Sequence, residues 1–294
     1  MRPLDYAAAL GVMVIWGVNF PMGKLGVTEL PPILFMALRF VLVAALLCPF
    51  FPLPREKLGG VLRLAFVLGS LHFTTMFTGL SLMDAATASL LVQSQVPFAA
   101  LLAAVFFRDR PGWRRFLGML VAFAGVLVIV GEPRFGNDLL PPALILAASF
   151  FWALANVLIK RLGPIDGFAL SGWLALFAAP QLLVLSLLIE SGQGAALRSA
   201  RWGGWGGVIY GAIAVTVVSY WMWYPLVRRY AVNQTMPFTL LVPIFGVASS
   251  AAILGDQLSW QTALGGAATI AGVAIIVLPR WSRWGLKKPS SIRP

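Results

Sequence analysis

The stretch DRPGWRRFLGMLVAFAGVLVIV, Asp109 to Val130, returns 147 residues later as DQLSWQTALGGAATIAGVAIIV, Asp256 to Val277. Aligned without a gap, nine of the 22 positions are identical. A composition this biased gives about two identities by chance, so the match is a true internal repeat. Upstream the correspondence continues at an offset of 146: Leu80, Ala85 and Pro97 fall opposite Leu226, Ala231 and Pro243. Any fold for this chain must therefore be built from two copies of one unit.

The unit is a membrane one. Sixty per cent of the 294 residues are hydrophobic and only 11% are charged, more apolar surface than a soluble domain of this length carries. A spanning helix needs about 20 mostly apolar residues, and ten such runs can be marked. They are Asp5–Leu25, Pro31–Phe50, Val61–Leu82, Ala85–Phe107, Trp113–Gly131, Leu139–Ile159, Gly167–Ile189, Trp205–Val227, Ala231–Leu254 and Trp260–Leu278. The fold class expected is an all-α polytopic membrane protein with ten transmembrane helices. The first run, with Trp16, Asn19 and Pro21 and no convincing cleavage site, reads as a retained helix and not a signal peptide. The link from Glu190 to Gly204 is small and reads as flexible. The single cysteine, Cys48, excludes an internal disulfide or a cysteine-zinc site.

A net charge of +12 would point to nucleic acid in a soluble chain. Here the cations punctuate apolar runs, which is the signature of orientation in a bilayer and argues against a nucleic-acid partner. Counting alternate connections and the tail, 17 Lys and Arg fall on the side of the termini and four on the other, with Arg39 alone inside a run. That bias puts both termini in the cytoplasm. Five helices per copy is an odd number, so the second copy enters from the opposite face. The expected organisation is two inverted five-helix repeats, 1–131 and 139–280, followed by a basic cytoplasmic tail, 281–294. Inverted repeats are characteristic of secondary transporters; duplication that merely built a stable bundle is the plain alternative.

The residues Leu80, Ala85, Pro97, Asp109, Trp113, Gly118 and Ala124-Gly125-Val126 form a pattern. It recurs as Leu226, Ala231, Pro243, Gly255-Asp256, Trp260, Gly265 and Ala271-Gly272-Val273. This pattern resembles the EamA-type module of the drug/metabolite transporter superfamily, and two modules cover essentially the whole chain. The family often has Glu where this chain has Asp109 and Asp256. The overall look is closest to YddG-like aromatic amino-acid exporters. The resemblance implies ten helices, inverted repeats, inside termini and a bacterial inner-membrane location, with no cofactor and no metal.

All ten acidic residues fall at run ends or in loops. Coupled carriers commonly place Asp or Glu at membrane depth, so export without a carboxylate proton relay is expected. His72, the only histidine, lies near the midplane as a proton-sensitive site or as a neutral imidazole bonded between helices. Arg39 either binds a substrate carboxylate, or snorkels or bonds backbone carbonyls. Trp16, Asn19 and Lys24 are echoed by Trp152, Asn156 and Lys160, and both sets have an inward face. Gln93 and Gln95 precede Pro97, and Gln234 lies in the equivalent region of the ninth run. Tyr220 is a pocket candidate, whereas Trp223 and Tyr224 read as an interfacial belt.

The substrate-binding set expected is thus Trp16, Asn19, His72, Gln93, Gln95, Trp152, Asn156, Tyr220 and Gln234. Pro21, Pro97, Pro237 and Pro243 are candidate hinges. The glycines of runs five and ten, Gly118, Gly125, Gly265 and Gly272, are expected to mediate contact between the halves or a homodimer. The function expected is a carrier exporting small metabolites, hydrophobic or aromatic amino acids first. Its rivals are a drug or other-metabolite exporter of the same superfamily and an intramembrane lipid-modifying enzyme. Specificity is expected where the copies differ, as at Gln93 and Gln95, which face Thr239 and Leu241.

Overall fold

The computed structural model describes residues 1–107, 112–132, 138–230 and 235–278. Asp109, Ala231, Gln234 and the tail lie outside the described residues. Among the described residues every regular element is helical. The principal helices are α1 (Pro3–Glu29), α2 (Pro32–Leu47), α3 (Arg55–Leu82), α4 (Ala85–Phe107) and α5 (Trp113–Val130). They continue as α6 (Leu140–Leu162), α7 (Gly167–Ile189), α8 (202–229), α9 (236–254) and α10 (Trp260–Val277). Among the described residues eight helices are long and apolar enough to cross a bilayer; Pro32–Leu47 and Phe238–Leu254 are shorter apolar helices.

Two boundaries depart from expectation. Helix α3 starts at Arg55, six residues before the apolar run, because Gly59-Gly60 continues the helix. The glycine serves packing there: a Cβ on Gly60 would lie 2.3 Å from Leu162 Cδ1 of α6. The link after Glu190, expected to be flexible, holds a short helix, Gln193–Ser199. It is entered through Gly192 at φ +77°, the left-handed region that glycine occupies without strain.

The repeated stretch forms the tightest helix pair. Helices α5 and α10 run antiparallel with their backbones in contact. A Cβ on Gly118 would lie 2.8 Å from the Gly272 carbonyl oxygen, and one on Gly125 2.5 Å from that of Gly265. The reverse approaches, Gly265 to Gly125 and Gly272 to Gly118, are both 2.6 Å. Each glycine thus meets the repeat-mate of the other. Only small residues permit such approach in a setting where burial against lipid supplies no drive. The glycine faces meet within one chain.

Four helices are irregular at membrane depth. Ala65–His72 in α3 and Tyr210–Val218 in α8 are π-helical. Val92–Ser94 in α4 and Met236–Leu240 in α9 are 3₁₀ turns. At the offset of 146 each falls on its counterpart. The 3₁₀ turns precede Pro97 and Pro243, whose missing N–H frees a carbonyl one turn back. The π segments contain no proline, and no sequence signal marks them.

One end of the bundle, bearing the loops after α1, α3, α5, α7 and α9, is closed by carboxylates that cap other helices. Glu29 accepts hydrogen bonds from the N–H groups of Arg201 (2.6 Å) and Gly204 (2.8 Å) at the start of α8. Glu190 accepts from Ile33 (2.8 Å) and Leu34 (3.1 Å) at the start of α2. Asp256 accepts from Ala86 (3.0 Å) at the start of α4, and Glu132 accepts from the Thr262 hydroxyl of α10. The first N–H groups of a helix lack internal partners and carry partial positive charge, so a carboxylate both satisfies and neutralises them. Asp256, half of the Asp pair that opens the repeat, is therefore structural.

Candidate functional site

Faces of α1, α2, α3, α6 and α8 converge on a polar and aromatic centre. Arg39 of α2 is 4% exposed. It does not snorkel: it lies on the face opposite lipid-exposed Val41 and points among α1, α3 and α8. Its Nη1 donates to Asn19 Oδ1 of α1 at 3.4 Å, and its Cζ lies 5.9 Å from the Phe73 ring centroid. Tyr210 and Tyr220 of α8 are within electrostatic range of the guanidinium. Phe73 touches His72 (centroids 4.6 Å), and His72 lies tilted against Trp152 of α6 at 5.2 Å. His72 Nδ1 lies 2.8 Å from the Ala148 carbonyl oxygen. A carbonyl only accepts, so Nδ1 carries the proton and the imidazole joins α3 to α6.

On the α1 side, Trp16 Nε1–H donates to Ser219 Oγ (2.8 Å) and the indole meets Tyr220 edge-on at 6.3 Å. Tyr220 stacks on Tyr224 at 5.2 Å. Trp223 corrects an expectation: it is buried, 5.5 Å from Trp16, in a cluster with Ala9, Val12, Met13 and Leu226. It packs α8 on α1 and is no belt residue, because the edge of α8 that carries exposed Trp221 is the one facing outward. Tyr224 lies against Gly167, where a Cβ would come within 2.3 Å of its ring.

The structure brings Trp16 to Tyr220, Asn19 to Arg39, and His72 to Trp152. Arg39 and Phe73 link the groups. Gln93 is buried within the 3₁₀ turn of α4, whose Val92 carbonyl accepts weakly from Ser149 of α6 (3.4 Å); Gln95 is half-buried. Gln234 lies outside the described residues. Of the proline hinges, Pro21 sits in unbroken helix, Pro97 and Pro243 follow the 3₁₀ turns, and Pro237 begins one. Gln181 of α7, which sequence reasoning passed over, accepts from Ser70 Oγ (2.9 Å) in the π segment of α3.

Asn156 is exposed, and its amide nitrogen donates to the Trp152 carbonyl of its own helix (2.9 Å). It was expected to need an interhelical partner. The lipid face of α6 carries Ala143 and Phe150; Asn156 lies about 120–140° away, at 100° per residue. Its exposure is therefore on a face of α6 turned away from the one that carries Phe150, and its side chain bonds no other helix.

The two ends of the bundle differ. At the capped end Lys24 of α1 donates to the carbonyls of Leu80 (3.0 Å) and Ser81 (2.9 Å) at the last turn of α3. Gly23 lies so close to Phe77 that a Cβ would be 2.8 Å from its ring. The repeat-mate, Lys160, makes no such bond; its Nζ lies 4.1 Å above the Phe107 ring of α4. Helix α1 packs on the ends of α3 and α4, whereas α6 makes no comparable packing with α8 and α9 among the described residues. The two-fold correspondence is kept along the bundle and broken at this end. Every acidic side chain among the described residues lies at or beside a helix end, so no carboxylate enters the centre. No group of three or more His, Cys, Asp or Glu that could hold a metal occurs among them.

The EamA-like transporter family matches residues 4–131 and 140–278. The chain belongs to the EamA-like transporter family. It is thus a multi-pass membrane transporter and not an enzyme. Among its relatives, a protein of Escherichia coli (strain K12) named "Probable amino-acid metabolite efflux pump" is 31% identical over 294 residues, covering 96% of this chain and 98% of that protein. Its namesake in Salmonella typhimurium is 32% identical, with 94% and 96% covered. A crystal structure with 19% sequence identity superposes with a TM-score of 0.59 over 94% of this chain and 96% of that one, a likeness of fold alone.

Proposed function

We propose that this EamA-family chain exports small metabolites, hydrophobic or aromatic amino acids first, across a bacterial inner membrane by alternating access. The observation that carries the proposal is the broken correspondence between Lys24 and Lys160. Two repeats of one design, latched at one end and unlatched at the other, are what a carrier resting in one of two mirrored states looks like. The reciprocal Gly118–Gly272 and Gly125–Gly265 contacts support inversion of the halves about an axis in the membrane plane. The eight long helices and two shorter ones support ten crossings. The 17-to-4 charge bias supports cytoplasmic termini and hence a cleft open to the cytoplasm.

In this reading Trp16, Trp152 and Tyr220 wall the cavity, and Asn19, Asn156, Gln93 and Gln95 supply neutral polar contacts. Gln234 is proposed from sequence alone. Hinge motion is assigned to the paired 3₁₀ and π turns, with Pro21, Pro97, Pro237 and Pro243 as the sequence-derived candidates. The efflux-pump names of the two enteric relatives support amino-acid metabolites as cargo. A homodimer, proposed from sequence, must use a surface other than the glycine faces.

Without a carboxylate at depth, flux runs down the substrate gradient. The test is reconstitution of the purified chain in liposomes with a panel of labelled amino acids. Gradient-driven flux that does not need a pH gradient is expected. Absence of flux for every amino acid, with or without a pH gradient, overturns the exporter assignment. Flux that requires a proton gradient overturns uncoupled export and makes His72 the candidate relay.

A further inference from the structure

The guanidinium of Arg39 is a charge without a counter-charge. It is 4% exposed, about 11 Å along α2 from Pro32, and no acidic residue among the described ones reaches the interior. A guanidinium has five N–H donors. Only one bond is made, the long one to Asn19 Oδ1 at 3.4 Å, and the buried Nε has no partner. A purely structural arginine at membrane depth spends its donors on backbone carbonyls or a carboxylate, because each one left unmet costs free energy.

The surrounding structure is shaped to hold this side chain in place. Gly211, in the π segment of α8, lets the arginine stem pass: a Cβ there would lie 2.7 Å from Nε and 2.8 Å from Cδ and Cζ. Tyr210, its neighbour, donates to the Ile15 carbonyl of α1 (2.9 Å), which pins the π turn beside α1. Donors are thus held, desolvated and unspent, beside the aromatic groups of the centre.

We propose that Arg39 is the anchor for the carboxylate of an organic acid, with Nε and a terminal nitrogen presented to its two oxygens. This deepens the exporter reading and rests on the cleft being the substrate path. The interior offers a substrate ammonium only neutral acceptors, Asn19 among them. Recognition therefore depends on the carboxylate, and the amine is optional. Amino acids and their N-acylated or deaminated derivatives fit, whereas amines without a carboxylate are repelled by the guanidinium.

The test is equilibrium binding to the full chain in lipid nanodiscs, read by tryptophan fluorescence, since Trp16 and Trp152 flank the site. The probes are L-phenylalanine, L-leucine, 3-phenylpropionate, phenethylamine and inorganic phosphate. The carboxylates are expected to bind, with 3-phenylpropionate displacing L-phenylalanine and phenethylamine failing to. Arg39→Gln is expected to weaken carboxylate binding about 10- to 100-fold, the range for losing hydrogen bonds to a charged group. Arg39→Lys keeps the charge but not the fork, and is expected to retain the preference for acids at lower affinity. Gly211→Ala keeps the charge and displaces it, so weakened acid binding in a variant that keeps the wild-type Tm supports geometry over a general folding defect.

Phenethylamine or phosphate binding as well as the acids, unchanged affinity in Arg39→Gln, or no binding of any acid overturns the proposal. Carboxylate binding by a chain that moves none of the acids in liposomes overturns the transport reading alone.

Discussion

Lys24→Met removes the latch at the closed end and nothing else of size. The ammonium donates two charge-assisted hydrogen bonds, at 3.0 and 2.9 Å, to the carbonyls of Leu80 and Ser81. Such bonds contribute about 1.5–3 kcal/mol. Part of that is regained when the freed amine meets water, leaving about 1–2 kcal/mol of preference for the present state, a factor of about 5–30 in the equilibrium between states. Starting from equal populations, the fraction resting in the present state falls from a half to between about a sixth and a thirtieth.

The assay is alkylation of a cysteine at position 156 by a membrane-impermeant maleimide, in a Cys48→Ser background. Asn156 is exposed and bonds only its own helix, so its replacement breaks no interhelical hydrogen bond. Labelling should slow in Lys24→Met. Lys160→Met should act with the opposite sign. In the present state it loses only the contact over Phe107, worth about 0.5–1 kcal/mol. In a mirrored state it would lose the two carbonyl bonds at the end of α8 that the correspondence with Lys24 predicts. Equal labelling in both variants, or slowing in both, would refute the latch.

Three further outcomes follow. Gly125→Ala sets a Cβ 2.5 Å from Gly265 O and from Thr269 N and Oγ1, so α5 and α10 must separate; a loss of about 1–3 kcal/mol is expected in a thermal unfolding scan, and an unshifted Tm contradicts the close pair. A Gln93→Leu, Gln95→Leu double variant should change substrate preference in competition flux assays, since those positions differ between the halves; unchanged preference counts against them as specificity residues. His72→Asn should lower thermal stability by about 1–2 kcal/mol through the lost bond to Ala148, while flux stays independent of a pH gradient; a gained or lost pH requirement contradicts a bridging role.

Much of the architecture was legible because it rests on patterns with long reach. Apolar runs of bilayer length and the repeated glycines are each forced by lipid, and the family assignment followed from the same residues. Part of the site was legible for a related reason: Trp16, Asn19, His72 and Tyr220 are polar or amphipathic groups on interior faces, where they must find partners. What escaped has a physical explanation too. The π turns of α3 and α8 need neither proline nor a glycine pair, so nothing local announces them. Trp223 read as a belt residue because distance from Arg228 measures depth along the helix and not which way the side chain turns. Glu29, Glu190 and Asp256 looked like loop charges because the helix N-termini they cap are far away in sequence. The unlatched Lys160 could not be read at all, since both states of a carrier share one sequence.

For transport by alternating access, the closed end must open. Cysteines at positions 24 and 81, joined by a short bifunctional thiol reagent in the Cys48→Ser background, replace the Lys24–Ser81 bond with a covalent one. Flux of a carried amino acid should fall to the level of protein-free liposomes after cross-linking and recover when a cleavable reagent is cut. Undiminished flux through a fully cross-linked chain would contradict alternating access.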